Sequence, residues 1–192
     1  MNPPLLEVTL QLHFDEIAYA QDKLEYFYQM AGASKTVVQP GRLEIHSDTG
    51  VSYPRLRPEW GKLLASFLDV FEIRQINQLS LCYLNEIPLQ ALSSFQDYLN
   101  ISFAMPEPLE ERFEFFRSEF TYKYDFGEIK VWIQPDWDEQ IEAYCLQLSL
   151  ESLHIGDIQA KDVAAKIQEL HQGNKDVFRQ VLSQDFIRQL PQ

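Results

Sequence analysis

Cysteine, glycine and positive charge are all scarce in this chain, and each shortage excludes something. Two cysteines in 192 residues cannot staple a disulfide scaffold. Cys82 and Cys145 each fall inside a strand-like run, so both are expected as free, buried thiols in a reducing cytoplasm. Seven glycines beside 45% hydrophobic and 13% aromatic residues exclude a low-complexity or disordered chain. No run approaches the ~20 apolar residues of a membrane helix. Met1-Asn2-Pro3-Pro4 has neither the basic region nor the apolar core of a signal peptide. Sixteen Lys and Arg against 29 Asp and Glu leave a net charge of −13. With no Lys/Arg cluster, contact with nucleic-acid phosphate or anionic lipid is disfavoured. The same charge serves solubility and suits pairing with a basic protein.

What is present is hydrophobic patterning of two periods. Leu6, Val8, Leu10, Leu12 and Phe14 alternate with polar residues, a strand with one buried face. Asp15 is placed to cap a following helix through Ala18, Leu24, Phe27 and Tyr28. Thr36 to Ile45 is a strand interrupted at Pro40-Gly41, and Ser47 to Gly50 is a turn. Pro58 is expected to open a helix carrying Trp60, Leu63, Leu64, Phe67, Leu68 and Phe71. Asn77 to Ile87 alternates again until Pro88, Leu92 to Leu99 suits a short helix, and Pro106 and Pro108 mark a loop.

Three closely spaced strands follow. Asp125-Phe126-Gly127 is a hairpin turn, Pro135 to Glu139 a polar loop, and Tyr144, Leu146, Leu148 and Leu150 an inward face ended by Gly156-Asp157. Residues 160–190 carry one helical pattern, ~45 Å long if continuous, with Gly173 as a candidate kink. The expectation is a single α+β domain over residues 1–192. In it a curved, mainly antiparallel sheet packs against helices, with a long C-terminal helix across it in a helix-grip-like arrangement.

The chain resembles a sporadically distributed family of uncharacterised bacterial and archaeal proteins. The resemblance rests on residues 2–8, on Tyr53-Pro54-Arg55-Leu56, and on Tyr83-Leu84-Asn85-Glu86-Ile87-Pro88. Phe95-Gln96-Asp97-Tyr98-Leu99 and the helix near Leu170-His171 complete it. It implies a similar fold and a setting among mobile or defence-linked genes, but no activity. Where the family pattern places Arg before Tyr-x-Asn, this chain has Cys82, which weakens any role for an arginine there.

Motifs that carry chemistry are few. Asp48-Thr49-Gly50 is the aspartic-protease tripeptide, but a second copy is lacking and the triplet is also an ordinary turn. Asp125-Phe126-Gly127 lacks every other kinase element. Asp136, Asp138 and Glu139 crowd one loop without EF-hand spacing. The four histidines show no zinc spacing, so no metal, cofactor or catalytic residue is assigned. The aromatic run from Phe113 to Phe126 either fills the core or lines a ligand cavity.

The reading is therefore a non-enzymatic interaction component, accessory or neutralising in the manner of an antitoxin or immunity protein. Its partner is a protein, basic by charge, and a homodimer is compatible. The candidate partner surface is Asp136, Trp137, Asp138 and Glu139, together with Phe178, Leu182 and Phe186 of the C-terminal helix. The alternative is a small-molecule-binding domain with a cavity under that helix. An unrecognised metal-dependent hydrolase using the Asp136–Glu139 loop comes third.

Overall fold

Alternating apolar residues recur along most of the strands, and seven strands among the described residues enter one sheet. The computed structural model describes residues 5–16, 20–31, 35–47, 50–89, 97–101, 117–138 and 142–189. The strands are β1 (Leu5–His13), β2 (Lys35–Gln39), β3 (Arg42–His46), β4 (Gln75–Pro88), β5 (Ser118–Tyr124), β6 (Gly127–Asp138) and β7 (Ala143–Gln159). Their order is β2-β3-β1-β4-β7-β6-β5, and every pairing is antiparallel. The helices are α1 (Gln21–Ala31), α2 (Tyr53–Val70), α3 (Val163–Val181) and α4 (Gln184–Gln189). This is the expected α+β class, with α3 packed across the sheet.

The period of two decides which face each residue takes. Val8, Leu10, Leu12, Leu43, Ile45, Leu79, Leu81, Ile129, Val131, Ile133, Leu146, Leu148 and Leu150 are all fully buried. They meet Trp60, Leu63, Leu64 and Phe67 of α2 and Ile167, Leu170 and Val177 of α3 in one core. Phe67 is its aromatic centre, with ring centroids 5.7 Å from Phe14, 5.2 Å from Phe27 and 4.8 Å from Phe71. The opposite face carries Glu7, Thr9, Arg42, Glu44, His46, Cys82, Glu151, Lys130 and Trp132, as the registers require.

Several boundaries differ from the sequence expectation. Helix α2 starts at Tyr53 because Pro54 takes the first-turn position, leaving Pro58 inside the helix. Helix α1 starts at Gln21 rather than next to Asp15. Strand β6 continues through the expected loop to Asp138, with Pro135 beyond Ser118–Ile133, the last described β5 pair, so its missing N–H costs no ladder bond there. Strand β7 continues to Gln159. Gly156 lies in a bulge, between the Gln78–Ile155 and Ile76–Ile158 pairs.

The C-terminal helix is divided, but not at Gly173. That residue is buried inside α3, where a Cβ would come 2.7 Å from Phe126 Cζ and 3.0 Å from Ile129 Cδ1; the glycine lets helix and sheet approach closely. The break comes at Leu182, whose extended backbone bridges to Leu99. There Asn100 N–H donates to Val181 O at 2.7 Å and Ser183 N–H to Tyr98 O at 2.9 Å. At 19 residues, α3 is ~28 Å long, not ~45 Å. The expected short helix at 92–99 and the loop at Pro106 and Pro108 lie largely outside the described residues.

Candidate functional site

Extending the inward face of β6 and β7 by one residue pair beyond Pro135–Leu146 brings Trp137 opposite Tyr144. Both side chains continue the core face yet stand in solvent, at 48% and 38% exposure. Their rings meet edge to face with centroids 4.9 Å apart. Tyr144, expected to face inward, is on that face but reaches past its cover. On the opposite face of the strand, Asp136 is held by two hydrogen bonds: Trp137 N–H donates to Oδ1 at 2.9 Å and Gln147 Nε2 to Oδ2 at 3.2 Å. Glu142 is exposed at the tip with φ +49°, a left-handed backbone that is uncommon for a side-chain-bearing residue.

The result is an exposed aromatic pair on one face of the hairpin end, with Asp136 turned to the opposite face toward Gln147 and Glu142 at the tip. Asp138 contributes its backbone pairing with Ala143, while its side chain and Glu139 lie outside the described residues. Phe178 and Leu182 are buried in the chain's own core and Phe186 packs against it, its ring 5.0 Å from Tyr98. Phe178 and Leu182 thus present little outward surface, while Phe186 is half-buried. Tyr144 was missed from sequence as a site residue because the pairing across the hairpin, not local pattern, brings it to Trp137.

A second constellation is buried. Tyr53 at the start of α2, Tyr83 on β4 and His171 on α3 converge. Tyr83 Oη lies 2.5 Å from His171 Nδ1, and Tyr53 stacks on the imidazole at 4.1 Å and 25°. Burial, then the charges of Lys175 and Arg57, lowers the His171 pKa to about 4. Burial, and secondarily the neighbouring Tyr53, raises that of Tyr83. The pair is thus a neutral phenol hydrogen-bonded to a neutral imidazole, which joins α3 to the sheet. An imidazole held so far below neutrality is a weak general base at pH 7.

This has a measurable consequence. The unfolded chain takes up a proton at His171 near pH 6.5 while the folded chain does so only near pH 4. The contribution is therefore complete above pH 6.5 and is lost as pH falls from 6.5 to 4. Allowing for the partial exposure of the ring, the loss is about 1–2 kcal/mol. Urea melts at pH 6.5 and 4.5 should show that difference in the native chain and a smaller one in His171→Gln; equal differences would contradict it.

On the open face, His46 Nδ1 lies 2.7 Å from Glu7 Oε1 and its Nε2 2.7 Å from Glu44 Oε1, with Arg42 also on Glu44. Both ring nitrogens are occupied, which suits a bridge between strands. Cys82 sits nearby, its thiol pushed up to about 11 by burial, against the effect of a hydrogen bond with Ser149. Cys145 is buried as well. A Cys82 thiol so raised is a poor nucleophile near neutrality. Native protein at pH 8 should therefore react with a thiol reagent far more slowly than denatured protein; fast labelling of Cys82 would contradict that.

No group of three or more His, Cys, Asp or Glu arranged to hold a metal is found among the described residues. No described helix is long and apolar enough to cross a membrane. Asp48 and Thr49 of the protease-like triplet lie outside the described residues. Phe120, Tyr122, Tyr124 and Phe126 pack against the core, and Phe113, Phe115 and Phe116 are outside the described set. Alongside α3, a groove of about 430 Å³ opens between the helix and Tyr124 and Phe126. In comparisons with known proteins, no family model, no curated protein and no solved structure matches this chain.

Proposed function

We propose that this chain is a non-enzymatic interaction component that holds a basic protein partner against the Trp137 tip. An accessory or neutralising role of the antitoxin or immunity type, exercised in the cytoplasm, fits this reading, as does membership of the sporadically distributed family it resembles. The observation that carries it is the exposed Trp137–Tyr144 pair at the end of a hairpin that also carries Asp136 and Glu142, on a chain of net charge −13. Aromatic anchors with a polar rim are what binding hot spots are made of, and long-range attraction between opposite charges speeds encounter. A second copy of the chain, equally acidic, is the poorer partner on the same ground. The buried Tyr83–His171 pair and the unreactive Cys82 point away from catalysis, since neither supplies a base or nucleophile near neutrality.

The test is recovery of the tagged chain from cells that carry its neighbouring genes, at low and at high salt. A single stoichiometric basic protein, released by salt, is expected. A bare chain at low salt, or a retained protein that is itself acidic, would overturn the proposal.

A further inference from the structure

The groove beside α3 lies at the other end of β6 from Trp137. About ten residues of strand separate the two, or ~33 Å, so it is not part of the tip surface. It is lined by Tyr124, Phe126, Gln168, Glu169, Gln172, Gly173 and Asp176. The hairpin turn presents Tyr124 and Phe126 as a stacked pair, centroids 5.0 Å apart and planes within 14°. Gly173, with no side chain, lets Phe126 lie directly against the helix. One wall is aromatic, and the other is a helical row of amides and carboxylates.

The polar atoms of that row are mostly acceptors. Asp176 accepts from Gln172 Nε2 at 2.9 Å, with Arg179 3.9 Å away. Glu169 accepts from Lys166 at 2.5 Å. Neither Lys166 nor Arg179 lines the groove, so its lining carries two carboxylates and no cation. Aromatic faces attract cations through the ring quadrupole, and a volume of about 430 Å³ falls in the small-ligand range of roughly 300–1,000 Å³.

From this complementarity we infer that the groove binds a small organic cation, an alkylammonium or guanidinium, over Tyr124 and Phe126 with its charge toward Asp176 and Glu169. The site is distinct from the partner surface and stands or falls separately from it.

The test is a titration of the isotope-labelled full chain with choline, with methylguanidinium, and with 3,3-dimethylbutanol, the uncharged isostere of choline. Amide shifts read the binding. Saturable shifts confined to Tyr124, Phe126 and Gly173 are expected for at least one cation, with a Kd on the order of 1 mM and at least tenfold weaker binding of the alcohol. Asp176→Asn, a surface change, should weaken the cation about fivefold or more, as should Phe126→Leu, while Trp137→Ala leaves it unchanged. Any one of three results would overturn the site. These are no saturable shift with either cation, equal binding of the alcohol, or shifts spread over all acidic surface and unchanged in Asp176→Asn.

Discussion

Replacing Gly127 with alanine is expected to cost at least about 3 kcal/mol of stability. The residue has φ +142°, and a Cβ there would fall 2.1 Å from the carbonyl oxygen of Leu153. Backbone strain of this kind costs of order 1–3 kcal/mol, and the collision is with main chain, which cannot rotate away. The β5–β6 turn is also fastened from the other side, since His154 Nδ1 donates to Phe126 O at 2.6 Å. Movement to relieve the clash would break that bond and disturb the Glu128–Leu153 pairing. For a chain of this size the loss corresponds to a fall in Tm of roughly 6–12 °C. Gly61 is the control, being exposed on α2 with nothing within 4 Å of the place a Cβ would take. Gly61→Ala should be neutral or stabilising by up to about 1 kcal/mol. Thermal melts of both variants decide it, and equal Tm values would contradict the geometry.

Most strands were legible because they alternate with one apolar face, and the Pro40-Gly41 and Asp125-Phe126-Gly127 turns have the chemistry hairpins require. Sheet order was not, because β1 pairs with β3 and β4 through contacts far apart in sequence that no local period encodes. The helix break illustrates the same limit. Phe178, Val181, Leu182, Phe186 and Ile187 keep a helical period straight through it, and only the bridge to Leu99 ends the helix. Gly173 misled in the opposite direction: its propensity suggested a kink, whereas its want of a side chain serves contact with Phe126. Of the candidate surface, Asp136 and Trp137 were recognisable as an acidic setting for an aromatic residue. Tyr144 and the Tyr53–Tyr83–His171 cluster come together only through β pairing and helix docking.

The second large effect is expected at Trp137. Its side chain is nearly half exposed and braced by Tyr144, so its removal opens no core cavity and Tm should shift by no more than a few degrees. Truncating a central aromatic anchor typically costs about 2 kcal/mol or more of binding, which is about thirtyfold in affinity. Ile155 is the matched control: it is 70% exposed and paired with Gln78 toward the far end of β7, so Ile155→Ala should leave affinity within about twofold, as surface changes away from an interface do. The most direct measurement is the Kd of the purified partner complex for native chain, Trp137→Ala and Ile155→Ala at two salt concentrations. The account predicts a loss of about thirtyfold or more for Trp137→Ala alone and weaker binding of the native chain at high salt. Equal affinities for all three chains, insensitive to salt, would contradict it.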